Sequence, residues 1–116
     1  MKTPNDPRHK RRQDLVQELF SMDFHTQKVS PRAKEIFQNK NAVDQTIEKI
    51  APDFPVEKIN KVDLAILRLA IYELTVEKKT PPNVIIDEAV ELAKEFGGDK
   101  SPAFINGALG KVTQHG

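Results

Sequence analysis

The sequence predicts an all-α domain of about five main helices. Three observations carry that expectation. The apolar residues recur with a period near 3.6 rather than 2. A capping residue followed by proline, the signature of a helix start, occurs at Asp6-Pro7, Ser30-Pro31 and Ser101-Pro102. One stretch, KVDLAILRLAIYELTVE at 61–77, is apolar nearly all round, as a central helix enclosed by others should be. At 116 residues and 38% hydrophobic content, one domain with one modest core is expected.

The elements follow in order. Asp6 caps and Pro7 opens a first helix over about 7–24. Leu15, Val16, Leu19 and Met22 form its stripe, and Val16, Phe20 and Phe24 a second row. Ser30-Pro31 opens a second helix with Ile36, Val43, Ile47 and Ile50 inward and Phe37 beside them; Pro52 ends it. Residues 53–60 form a proline-bearing connector with one short turn at 56–59. The central helix spans 61–77, and Thr80-Pro81-Pro82 breaks the chain after it. A fourth helix over about 83–96 turns Ile85, Ala89, Leu92 and Phe96 inward and Asp87, Glu88, Glu91 and Glu95 outward, and Gly97-Gly98 stops it. The last helix carries Ile105, Ala108, Leu109 and Val112 as its stripe. Residues 1–116 thus form one domain, with an N-terminal helical part over about 6–51 and a C-terminal three-helix part over 56–113.

Composition narrows the chemistry. The absence of cysteine excludes disulfides, thiolate catalysis and cysteine-ligated zinc. No apolar run approaches the roughly 20 residues of a membrane span. The N-terminus lacks the apolar stretch of a secretory signal, so a soluble, cytoplasmic protein is expected. His9, His25 and His115 have no partner at metal-binding spacing, and no glycine precedes a Lys-Ser/Thr pair as in a phosphate loop. Neither catalysis nor a metal or other cofactor is implied.

Charge is the informative feature. The whole chain carries +1, but residues 1–12 hold five Lys/Arg against one acid, a net of +4, and the remainder a net of −3. RHKRR at 8–12 is either a solubilising tail or a polyanion-binding helix start. Cations at a helix N-terminus oppose the macrodipole, which favours the second reading. Arginine suits phosphate through its planar fork and stacks on bases. On the last helix Phe104 stands about 100° off the apolar stripe. It shares a face with Lys100 and Lys111 and is either the edge of the core or a stacking platform for an unpaired base. Phe20 offers the same pair of readings.

The segments LAILRLAIYEL and PPNVIIDEAVELAKEFGGDKSPAFINGALGKV, with the opening RHKRRQDLVQELF, resemble the NusB family of transcription antitermination factors. The resemblance covers roughly 8–24 and 43–113, with Phe20 where tyrosine is usual. It implies a NusB-like helical bundle in two small subdomains, in a cytoplasmic bacterial RNA-binding protein. The implied partner is ribosomal protein S10 (NusE). Together the two would hold boxA, a single-stranded element of nascent ribosomal RNA, and keep RNA polymerase resistant to termination. By the same resemblance Arg8, Lys10, Arg11 and Arg12 contact RNA, Phe20 and Phe104 lie on the RNA surface, and Asp63 faces S10. Asn106 and Gly107 are motif positions, and Lys100 stands where some relatives carry an acid. The chain departs from the family between the first two helices, where only Thr26–Val29 stand in place of a usual helix. A subdomain trimmed in this way is expected to expose apolar surface such as Phe24 or Phe37.

Two other classes compete. A protein–protein module, for example a homodimer or an S10 chaperone, would keep the bundle without selective RNA binding. An RNA-methylating enzyme of the kind that carries such a domain needs a second, cofactor-binding domain, for which this chain has neither the length nor the glycine-rich strand–helix signal.

Overall fold

The computed structural model describes residues 6–23 and 29–115, with side chains to 112. Phe24, His25 and the side chain of His115 lie outside the described residues. The described residues form six α-helices and no strand: α1 (Pro7–Met22), α2 (Pro31–Gln38), α3 (Lys40–Ile50), α4 (Lys61–Tyr72), α5 (Pro82–Phe96) and α6 (Ser101–His115). A 3₁₀ turn at Val56–Lys58 lies in the connector before α4, and a π turn at Glu73–Glu77 extends α4 to the expected end of the central helix.

Caps set most of the starts. The Asp6 carboxylate accepts from Arg8 N at 2.9 Å, and Ser30 Oγ accepts from Ala33 N at 3.2 Å. Ser30 in turn donates to the Glu18 carboxylate through its N–H and its hydroxyl, which ties the start of α2 to α1. Asn60 caps α4 at 2.8 Å from Val62 N. The segment expected as one helix over 31–50 is two. Asn39 sits at φ −93°, ψ 7°, off the helical region, and its side chain donates to the Glu35 carbonyl at 2.8 Å. An asparagine that bonds back to the main chain competes with helix propagation, and the chain bends there.

Gly97 ends α5 for reasons of space rather than dihedral freedom. A Cβ there would come 2.5 Å from Ser101 Oγ, the atom that also accepts from Gly98 N at 3.0 Å. Gly97 therefore lets the start of α6 close on the end of α5.

α4 is the axis of the molecule. Every residue from Asp63 to Glu73 is buried, and α1, α2, α3, α5 and α6 all pack on it. One apolar cluster runs from Leu15, Val16 and Leu19 of α1 through α4 to Ile105 and Leu109 of α6. Phe37 is half-buried rather than bare: the Lys40 ammonium lies 4.4 Å and the Arg68 guanidinium 5.8 Å from its ring centre. Among the described residues no helix is long and apolar enough to cross a membrane.

Candidate nucleic-acid interface

Helix geometry divides RHKRR into two populations. His9 and Arg12, three positions apart, share the face that continues into Val16 and Leu19, and they point inward. Arg8, Lys10 and Arg11 point outward; the side chains of Arg8 and Lys10 are 75% and 69% exposed.

The inward pair is clamped. The His9 ring is 7% exposed and lies between two carboxylates of α5, Nδ1 2.8 Å from Glu88 and Nε2 2.8 Å from Glu95. A neutral imidazole carries one N–H, so only the imidazolium donates to both at once. Arg12 donates to both oxygens of Glu73 at 2.8 and 2.9 Å and lies 3.8 Å from Glu88. Burial disfavours the Arg12 cation, but Glu73 and Glu88 together outweigh that and raise its pKa.

The π turn contributes to this seam. Its wider winding carries Glu73 toward Arg12 and Glu77 toward Arg32. The Arg32 hydrogen bond holds the Glu77 carboxyl below its ordinary range. The turn ends at Lys78 with φ 58°, a left-handed conformation that a non-glycine residue adopts only under constraint.

Two expectations change here. Glu88, expected on the solvated face of its helix, is buried and holds His9. Its spacing carried the signal: it lies three residues after Ile85 and four before Leu92, on the apolar stripe itself. Arg12 spends its guanidinium inside the protein. Acids of α5 and the π turn face the inward cations and offset the cost that the α1 macrodipole imposes on them.

The outward cations are held loosely. Arg8 pairs with Asp6 at 3.4 Å and Lys10 with Asp14 at 3.2 Å. Surface pairs of this kind contribute little to stability and exchange readily for another anion. Arg11 is exposed and forms no ion pair with any described residue.

Phe104 of α6 is half-buried and packs against the core, while Lys111 on the same helix and Lys100 just before it are exposed. Phe20 is half-buried on α1. A hollow of about 850 Å³ runs from Asp6, Arg8 and Arg12 across α5 to Ala103 and Asn106 of α6. A smaller hollow of about 240 Å³ continues from Ala103 past Phe104 to Lys111. Ala103 lines both, so the hollow that holds Phe104 adjoins the one that reaches Arg8. Asp87, Glu88, Glu91 and Lys94 line the α5 side of the larger hollow.

Asp63, at the third residue of α4, is 8% exposed, and its Oδ1 has no hydrogen-bond partner. Burial raises its carboxyl above the ordinary value, and a hydrogen bond with the Ser101 side chain opposes the rise.

Comparison with known proteins is consistent across sequence and structure. The NusB family model matches residues 7–114. The transcription antitermination protein NusB of Acetivibrio thermocellus is 52% identical over 81 residues, covering 70% of this chain and 56% of that protein. The NusB of Clostridium tetani is 47% identical over 81 residues, 70% and 53% respectively. The matched segment therefore spans little more than half the length of these relatives. The solved T. maritima NusB superposes with a TM-score of 0.79 at 31% identity, covering 98% of this chain and 93% of that one. A crystal structure of antitermination factors NusB and NusE with double-stranded RNA shares the fold at TM-score 0.78 and 19% identity, covering 96% of this chain and 100% of that one.

Proposed function

This chain belongs to the NusB family, and from that premise we propose that it is an RNA-binding transcription antitermination factor. It holds boxA-like single-stranded RNA of nascent ribosomal transcripts together with ribosomal protein S10 (NusE), and acts on RNA polymerase indirectly. It is a cytoplasmic binding protein and not an enzyme.

One observation carries the reading most. α1 is anchored from within by His9 and Arg12, so Arg8, Lys10 and Arg11 are displayed on a fixed helix rather than a loose tail. Fixed cations lose less freedom on meeting phosphates than mobile ones. The two adjoining hollows give the strand a path from Arg8 to Lys111 and the aromatic edge of Phe104, and Lys100 is a further exposed cation just before α6. The acids along α5 direct phosphates to the rims and leave the middle to bases. Phe20 supplies a further aromatic surface on α1. Asp63 belongs to the surface that receives NusE, because a donor from a partner would relieve its unpaired, buried oxygen.

The test is fluorescence-anisotropy binding of a labelled boxA-like RNA and a scrambled RNA, with and without NusE, across salt concentrations. The expected result is selective binding strengthened by NusE. Replacing Arg8, Lys10 and Arg11 by glutamine should flatten the dependence of log affinity on log salt by about 2, at roughly 0.7 per phosphate contact. Equal binding of both RNAs in the presence of NusE would overturn the reading. A chain that binds NusE normally but RNA without salt dependence would be a protein–protein module.

A further inference from the structure

We propose that Phe54, in the connector between α3 and α4, is a second stacking ring that forms with Phe104 a receptor for one unpaired nucleobase. The proposal rests on the RNA-binding reading above and adds to it a residue and a subsite.

Phe54 is 50% exposed, the highest exposure among the large apolar side chains of the described residues. Its exposure is built into the backbone. Pro52 and Pro55 flank it, and its N–H donates to the Ala51 carbonyl at 3.0 Å, so the ring is held on a stiff turn. It does not enter the core. It meets Phe104 instead, edge to face, with ring centres 5.3 Å apart and planes at 70°. An edge-to-face pair leaves ring face uncovered for a further aromatic group.

The two rings wall the hollow of about 240 Å³ already described. Gly107 lines it from the middle of α6, and a Cβ built on Gly107 would meet nothing within 4 Å. The glycine thus has no packing partner inside the chain, and it leaves the helix backbone bare beside the rings. Lys111 lies at the edge of the hollow, where it can neutralise the phosphate of a base held inside; Asp53 is the acid that lines it.

The choice of a nucleobase over an apolar peptide rests on shape and continuity. A planar π system matches two aromatic rings beside an open backbone, and base–aromatic stacking tolerates any base. Ala103 lines both this hollow and the larger one that reaches Arg8, so the subsite adjoins the hollow that Arg8 lines.

The experiment uses the full chain with Phe54→Leu and Phe54→Trp and a boxA-like RNA. The wild-type protein contains no tryptophan, so Phe54→Trp supplies a single emitter at the subsite. Phe54→Leu is expected to weaken RNA binding about tenfold, within the range for loss of one base stack. Its melting temperature and its salt dependence should be unchanged, because stacking releases no counterions. Phe54→Trp should bind at least as tightly as wild type, and RNA should quench its emission. If Phe54→Leu proves unstable, the quenching of Phe54→Trp decides alone.

Wild-type affinity in Phe54→Leu, or unquenched emission from RNA-bound Phe54→Trp, overturns the proposal and leaves the RNA-binding reading standing. Loss of NusE binding or of self-association in Phe54→Leu, with RNA binding intact, would make the hollow a protein-docking surface and also overturn it. A wild-type protein that fails to select RNA would be recognised before either variant is measured, as failure of the underlying reading.

Discussion

The two sides of α4 are built on different physics. Toward α5 and α6 the contacts are mainly apolar: Ile66, Leu69 and Ala70 share a cleft with Ile85 and Leu92 of α5, and Ile105 and Leu109 of α6 are fully buried. Toward α1, α2 and α3 the apolar contacts are joined by a line of directed charge pairs. Arg68 donates to Asp44 at 2.8 and 3.0 Å and to Asp23 at 3.0 Å. Arg12 holds Glu73, Arg32 holds Glu77, and the Tyr72 hydroxyl donates to Glu35, which pushes the Tyr72 pKa up to about 12. Burial of apolar area is non-directional and tolerates small shifts. Buried ion pairs are intolerant of losing one member, because the other is left desolvated and unpaired. The C-terminal helices are therefore held firmly, and the N-terminal helices are held in one specific pose. That suits a molecule whose α1 must present cations at a fixed place.

Arg68→Ala should have the largest effect, about 3–5 kcal/mol, because it strands Asp44 and leaves Asp23 only the longer pair with Lys61 at 3.6 Å. Leu109→Ala should cost somewhat less, about 2–5 kcal/mol for a large-to-small core change. Amide hydrogen exchange separates the two sides more sharply than melting does. Arg68→Ala should lower protection in α1–α3 first, whereas Leu109→Ala should lower it across the whole chain. Uniform loss in both variants would erase the distinction between the two sides.

His9→Ala should cost about 1–3 kcal/mol, the range for removing a donor from a buried polar partner, since the buried Glu88 loses its closest partner while the exposed Glu95 turns to water. RNA affinity should fall several-fold although no outward cation is touched. Unchanged affinity in the folded variant would show that the anchor does not position the basic face.

Asp63→Asn should have the smallest effect and the opposite sign, a rise in melting temperature of a few degrees near neutral pH. The folded-state pKa of Asp63 lies above the ordinary 3.8. Between those two values the folded state binds more protons than the unfolded one, so wild-type stability falls as pH rises through that window. Asp63→Asn should remove this decline. Glu77 works the other way: its folded pKa lies below the ordinary 4.5, so its contribution is present above 4.5 and is lost as pH falls through the folded value. Chemical denaturation of wild type, Asp63→Asn and Glu77→Gln between neutral and acid pH resolves the two signs. A stabilised Asp63→Asn that binds NusE more weakly would mark the unpaired oxygen as kept for a partner.

Much of this architecture was legible in the chain. The proline-led starts of α1, α2 and α6, the enclosed central helix and the stops at Pro52 and Gly97 all appear where the residues predict them. Those features are local, because a cap, a proline or a 3.6-residue stripe acts on backbone within a turn or two. The break at Asn39 was missed because the apolar spacing of Ile36, Val43 and Ile47 runs across it. Glu88 is expected outward by type although its position lies on the inward stripe, and His9 shares the inward face of Val16 without carrying any signal of its partners. Phe54 carried no signal: a phenylalanine between prolines could equally have turned into the core.

The sequence by itself determined the helix class, most helix boundaries, the apolar faces and the concentration of cations at one helix start. Only the tertiary structure decided which of those cations face outward, that His9 and Arg12 are spent on Glu88, Glu95 and Glu73, and that Phe54 meets Phe104. The reason is range. Backbone preference and periodicity are set within one turn of helix, but a charge or an exposed ring takes its role from the group opposite. For His9, Arg12 and Phe54 that group lies dozens of residues away in the chain.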